Sequence, residues 1–208
     1  MSEKPVMLVT GASRGIGRFL ARYYVKQGFL VEGCSRGDPG FELEGYRHHR
    51  VDVTDEGQVA DMLSSIQSRH GRLDAAVNNA GAASMNHLLL TPGASVDRIM
   101  SLNVKGTFLV SRESAKLMKR RKYGRIVNLG SVAAPLALEG EAVYAASKGA
   151  VVTLTRVMAR ELGGFGINLV ARGADPAKVD AAYEALVQMI RDLGGSATEG
   201  ETQGDVPN

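Results

Sequence analysis

A short apolar run, Val6–Thr10, passes through a glycine-rich turn directly into a stretch with helical spacing, Gly15–Gln27. The same alternation then repeats along the chain. Phe29–Cys34, Tyr46–Val53, Leu73–Val77, Arg125–Leu129 and Ile167–Val170 read as further strands. Gln58–Arg69, Ser95–Val104, Gly106–Arg120 and Tyr144–Leu162 read as helices. Strands separated by helices imply a parallel sheet covered on both faces. Right-handed crossovers make a doubly wound α/β sheet of about six strands the simplest topology.

At 208 residues the chain suits one domain with a substantial core. Hydrophobic residues at 44% and charged residues at 23% are a normal globular balance, and a net charge of +3 is too small to argue for nucleic acid. The single cysteine, Cys34, excludes an internal disulfide, which suits a reducing compartment. The apolar run near the N-terminus is too short for a signal peptide or a membrane span, so a cytoplasmic protein with no membrane partner is expected. One further helix is expected over 176–193, where Val179, Tyr183, Leu186, Val187 and Ile190 recur at spacings of three and four. Gly194 and Gly195 follow it, and the rest lacks apolar periodicity. The expected organisation is a single domain over 1–193 and a flexible polar tail over 194–208.

The first turn reads Thr10-Gly11-Ala12-Ser13-Arg14-Gly15-Ile16-Gly17. Glycine permits a tight turn and close approach of backbone N–H groups to a pyrophosphate, and the helix N-terminus adds partial positive charge. Gly11, Ser13, Arg14, Gly15, Ile16 and Gly17 are therefore candidate dinucleotide contacts, although glycine-rich strand-to-helix turns also occur without ligands. About 20 residues beyond such a turn an acid would bind a ribose 2′-hydroxyl. Ser35 and Arg36 stand there instead. A guanidinium suits a 2′-phosphate, and Arg14 offers a second cation, which favours NADP(H) over NAD(H). The competing account is two solvated arginines, and the nearby acids Glu32 and Asp38 weigh on its side.

Further motifs follow in a fixed order: NNAG at 78–81, NVKG at 103–106, Ser131, and Tyr-Ala-Ala-Ser-Lys at 144–148. With TGASRGIG at 10–17 they resemble the short-chain dehydrogenase/reductase family across roughly residues 5–171, and are most similar to its 3-oxoacyl-acyl-carrier-protein reductases. The resemblance implies a single Rossmann-type domain with a catalytic set of Ser131, Tyr144, Lys148 and Asn103. It also implies that Asn79, Ala80 and Gly81 line the cofactor ribose and steady the central sheet, that Asp52 and Val53 contact adenine, and that Asn103 supports a water linked to the lysine. Tyr144 and Lys148 are implied as cofactor contacts too.

The residues support that chemistry on their own terms. Tyr144 and Lys148 lie one helical turn apart and can point the same way. Tyrosine is a poor acid–base at neutral pH, and an ammonium beside it favours the phenolate. Such a pair can give a proton to a carbonyl oxygen as hydride reaches the carbon, with the Ser131 hydroxyl holding the same oxygen. A tyrosine and lysine at this spacing are also commonly a surface pair, Asn78–Gly81 could be a simple turn, and Asp52 could be a helix cap. His48, His49, His70 and His87 show no carboxylate or cysteine grouping at ligand spacing, so no metal site is expected. Cys34 reads as a small core residue. Lys119-Arg120-Arg121-Lys122 reads as a solvated helix C-terminus, with attraction to an acidic carrier protein behind it.

The pattern departs from the family after Ala171, where Arg172-Gly173-Ala174-Asp175-Pro176 replaces the usual Pro-Gly and following threonine. The family's substrate lid and seventh strand have no counterpart in the sequence. A missing lid leaves a substrate less confined and wetter. The expected activity is reduction of a small-molecule or carrier-bound carbonyl, a 3-oxoacyl thioester or related ketone, by NADPH. The alternative is a shortened, non-catalytic NADP-binding or subunit-association protein. By analogy with the family a homodimer through 106–122 and 144–162 is expected ahead of a tetramer.

Overall fold

The structure, a computed structural model, describes residues 4–172. The helix expected over 176–193 and the tail over 194–208 lie outside them, as does the region expected to lack the lid and seventh strand. Six strands form one parallel sheet: β1 Val6–Thr10, β2 Leu30–Ser35, β3 Tyr46–Arg50, β4 Ala75–Asn78, β5 Gly124–Leu129 and β6 Ile167–Arg172. Their spatial order is β3-β2-β1-β4-β5-β6, with Val9 registered against Gly33 on one side and Val77 on the other. Strand order reverses at the β1–β4 junction, so a crevice opens beyond their C-terminal ends.

The long helices are α1 Gly15–Lys26, α2 Glu56–His70, α3 Gly93–Met100, α4 Gly106–Arg121 and α6 Ala142–Leu162, with a single short turn, α5, at Ala133–Leu136. One apolar cluster joins Val6, Leu8, Cys34, Ala76, Ile126 and Ile167 of the sheet to α2 and α4. A second joins Met7, Val9, Val31 and Val77 to Ala21 of α1. Alternate residues of β1 thus feed opposite clusters, which is why Val6–Val9 is apolar throughout and the strand is fully buried to Thr10. Beneath the crevice a buried polar chain links four elements. Asn78 Nδ2 donates to Ser111 Oγ (2.8 Å) and to Asn128 Oδ1 (2.7 Å), and Asn128 Nδ2 donates to Thr155 Oγ1 (2.8 Å). These buried bonds fix β4, α4, β5 and α6 in one relative register, although Asn78 Oδ1 itself is buried without a partner among the described residues.

Two expectations are corrected. Strand β3 stops at Arg50 rather than Val53. Asp52 leaves the ladder because its Oδ1 accepts from Thr54 N and Oγ1, and the cap of α2 is Asp55, which accepts from Gln58 N. The helix expected over Ser95–Val104 starts at Gly93 and ends at Met100, and Ser101–Lys105 is a π-helical turn leading into α4. No helix among the described residues is long and apolar enough to cross a membrane.

Candidate functional site

The glycine turn leaves β1 at its C-terminal end. Gly11 and Gly15 both take positive φ, 69° and 53°, which L side chains rarely adopt. A Cβ on Gly17 would overlap Gly11 O and Asn79 Nδ2, so this position must be glycine for α1 to pack on the turn. Gly15, by contrast, faces open space. Arg14, the N-cap residue of α1, makes no side-chain cap, and the first turn holds no acid. The first N–H groups of the helix are therefore open to an anion. Arg14, Gly15 and Ile16 are exposed, while Ser13 is half-buried. This exposed cradle fits the pyrophosphate of a dinucleotide, with Gly11 and Gly17 shaping it from below.

Asn79 anchors the cradle. Its Nδ2 donates to Thr10 O (2.8 Å), and the backbone N–H groups of Asn79 and Ala80 both donate to Thr10 Oγ1 (3.0 and 2.9 Å). The segment after β4 is thereby clamped to the end of β1, which is more than a simple turn. Gly81 sits against Asn103, where an added Cβ would lie 3.1 Å from Oδ1.

At the other end of the turn, β2 delivers Ser35 and Arg36. Arg36 is exposed, and neither its side chain nor that of Arg14 has an ionic partner among the described residues. The two acids close in sequence are both engaged elsewhere. Glu32 is buried and points to the α2 face, where it accepts from His49 Nε2 (2.5 Å) and His70 Nε2 (2.6 Å). Those bonds hold its carboxyl below the usual value against the upward push of burial. Asp38 pairs loosely with Arg50 at 3.9 Å. No spacing in the sequence signals that His49 and His70 share a carboxylate, because the three residues come from β2, β3 and α2. Among the described residues no group of three or more His, Cys, Asp or Glu is arranged to hold a metal ion. Asp52 is half-buried with its carboxylate committed to Thr54. Val53 is buried, its Cγ2 lying 2.8 Å from where a Cβ on Gly106 would be. Cys34 is fully buried, and burial pushes its thiol up to about 12.

The chemistry-bearing side chains gather beyond β5. Lys148 is buried on α6, and its Nζ donates to Leu129 O, the last residue of β5, at 2.7 Å. Ser131 follows two residues later, half-buried, its Oγ accepting from Ala133 N (3.1 Å). Tyr144 lies one turn before Lys148 on α6, half-buried, its ring centre 5.9 Å from Nζ. Burial pushes the Lys148 ammonium below the ordinary lysine value. Asn103 lies within the π-helical turn and is buried. Its Nδ2 donates to Ala82 O (2.9 Å) and Ser147 Oγ (3.0 Å), while its Oδ1 accepts from Ala82 N (2.9 Å).

Two positioning residues escaped the sequence reading. Ser147, fully buried, donates to Tyr144 O (2.7 Å) and accepts from Asn103, joining the π-turn to α6. Arg18 donates through Nε to Ser13 O (2.9 Å) and through Nη2 to Pro39 O (2.9 Å), tying the glycine turn to the loop after β2. Only a serine beside the lysine and a basic residue in the first turn of α1 could have pointed to them.

The sequence matches the family model for short chain dehydrogenases over residues 5–188. It is 33% identical over 179 residues to the 3-oxoacyl-[acyl-carrier-protein] reductase FabG of Salmonella typhimurium, covering 82% of this chain and 73% of that protein. It is 40% identical over 171 residues to the gluconate 5-dehydrogenase of Gluconobacter oxydans, covering 78% and 67%. Among solved structures, a 3-ketoacyl-(acyl-carrier-protein) reductase from Brucella melitensis complexed with NADH superposes with a TM-score of 0.78 at 30% identity, covering 82% of this chain and 75% of that one. ElxO with NADP bound superposes with a TM-score of 0.76 at 30% identity, covering 87% and 80%. A short-chain dehydrogenase from Streptomyces avermitilis gives 0.79 at 29% identity, and here the chain spans 66% of the other's length. With a match that runs from β1 through β6, the chain belongs to the short-chain dehydrogenase family.

Proposed function

We propose that the protein is an NADPH-dependent carbonyl reductase acting through Ser131, Tyr144 and Lys148. The observation that carries this reading is the Lys148–Leu129 bond, which draws the amine of α6 to the end of β5 two residues before Ser131 and one turn from Tyr144. Leu129 and the glycine turn both lie at the C-terminal ends of their strands, which sets Lys148 and the residues beside it on the same side of the sheet as the open cradle of α1. Bound there, the dinucleotide supplies hydride. Tyr144 gives its phenolic proton to the carbonyl oxygen, and the Ser131 hydroxyl donates to that oxygen and orients it. The Lys148 ammonium, close to the ring, favours the phenolate left behind. Asn103 and Ser147 position α6 against the π-turn, and water support by Asn103 belongs to the same proposal.

NADP(H) is favoured because Arg14 and Arg36 present guanidinium groups with no ionic partner among the described residues where a 2′-phosphate would be read, while Glu32 and Asp38 are diverted. The substrate side is apolar. Asn86 N donates to Gly140 O (2.8 Å), joining two loops that expose Met85, Leu88, Leu89, Leu90, Leu136 and Leu138. Such a rim suits an acyl chain, in line with a 3-oxoacyl thioester or similar ketone. The test is NADPH oxidation with a panel of ketones and 3-oxoacyl thioesters. Substrate-dependent oxidation is expected; tight NADPH binding with no turnover on any of them refutes the reading.

A further inference from the structure

Strands β2 and β3 build a hydrogen-bonded chain directly behind Ser35. Tyr46 OH lies 2.6 Å from His48 Nδ1, and His48 Nε2 lies 2.9 Å from Gly37 O and 3.0 Å from Ser35 Oγ. Ser35 Oγ itself donates to Gly37 O at 2.6 Å. A carbonyl oxygen only accepts, so His48 Nε2 carries a proton. The neutral ring then leaves Nδ1 as an acceptor for the Tyr46 hydroxyl. Burial favours that neutral form, holding His48 below the usual histidine value. Tyr46 is fixed in turn: its ring crosses Gly33, where any Cβ would overlap it, and stacks on Phe41 at 4.8 Å.

We propose that His48, held in its Nε2–H tautomer by Tyr46, is a positioning residue that adapts the Ser35–Arg36–Gly37 turn to the 2′-phosphate of NADP(H). The inference rests on the cofactor reading above. Ser35 can offer its proton to an anion only by releasing Gly37 O. Gly37 is exposed, so water also reaches its oxygen, but His48 Nε2–H already lies on that oxygen and holds the turn in place as Ser35 turns away. Arg36 leaves the same turn with no ionic partner for its guanidinium among the described residues. His48 also borders an open groove of about 570 Å³ whose carboxylates, Glu42 and Glu44, repel an anion. NAD(H) carries a hydroxyl in place of the phosphate and makes no such demand on Ser35. The effect of His48 is therefore selective between the two dinucleotides.

Calorimetric dissociation constants for NADP+ and NAD+ test this on the full chain. The wild-type protein is expected to prefer NADP+. His48→Leu should weaken NADP+ by about fivefold, one solvent-exposed hydrogen bond's worth, and leave NAD+ within about twofold. His48→Gln, which keeps a donor and an acceptor, should restore most of the preference. Tyr46→Phe, which keeps the ring but frees the tautomer, should fall between wild type and His48→Leu, with imidazole nitrogen shifts showing mixed tautomers. If His48→Leu does not fold, an unchanged affinity ratio in Tyr46→Phe overturns the inference. Equal loss of both dinucleotides in His48→Leu also overturns it. A wild-type preference for NAD+ overturns the cofactor reading beneath it, and a wild-type preference for NADP+ that no His48 or Tyr46 variant changes overturns this inference alone.

Discussion

Tyr144 and Lys148 were legible from sequence because their relation is local: four positions on a helix place two side chains on one face whatever the rest of the fold does. The glycine turn was legible for a similar reason, and Gly17 shows its physical necessity. Gly17→Ala must displace Gly11 O or Asn79, so a loss of about 1–3 kcal/mol in denaturant unfolding is expected, together with weakened dinucleotide binding. Tyr144→Phe should lower turnover by about 100-fold or more in steady-state assays while NADPH affinity is kept, because the phenol's proton and not its ring serves the reaction. Retained activity would rule out Tyr144 as proton donor. The Lys148 ammonium is disfavoured by burial, so it loses its charge as pH rises through a value below that of an ordinary lysine. The alkaline limb of kcat should then fall below about pH 10.4, and Lys148→Arg should move it upward. Ser147 and Arg18 stayed hidden, since each joins a near partner to one far along the chain, Asn103 and Pro39.

The number, order and type of strands followed from apolar runs and their spacing, but several boundaries did not. Val51–Val53 is apolar enough to read as strand, yet the Asp52 side chain caps Thr54 and ends the ladder. The π-turn at Ser101–Lys105 has no periodic signature either; it is set by what Asn103 must reach, Ala82 on one side and Ser147 on the other. Elements also meet through groups that looked unrelated in sequence. Glu32 on β2 joins β3 through His49 and α2 through His70. Its folded-state value lies below its unfolded one, so the stability it adds is complete above the unfolded value, about pH 4.3, and is lost as pH falls through the folded value. Glu32→Gln should cost about 3 kcal/mol in urea unfolding near neutral pH, with the gap from wild type closing in acid. A constant gap across that range would show that the charge of Glu32 is not what matters.

The groups that the proposed reaction needs belong to the edge of the sheet where β1, β4 and β5 end and α1 begins, while α4 and α6 keep exposed apolar side chains, Phe108 and Val157, on their outer faces. Those faces are the proposed dimer contact, and sedimentation equilibrium should give a dimer that Val157→Lys weakens; a stable tetramer would contradict it. The doubly wound arrangement was readable from the alternation alone, whereas the meeting of Lys148 with the end of β5 was not, because a buried amine finding a strand's last carbonyl is a product of packing. The central claim is that hydride reaches the carbon of a carbonyl whose oxygen is held by Ser131 and Tyr144. NADPH deuterated at its transferring position, incubated with a 3-oxoacyl thioester, tests it most directly. The account predicts an alcohol carrying one deuterium on its carbinol carbon, formed by wild type and not by Tyr144→Phe. Unlabelled alcohol, or labelled alcohol made equally well by Tyr144→Phe, would contradict it.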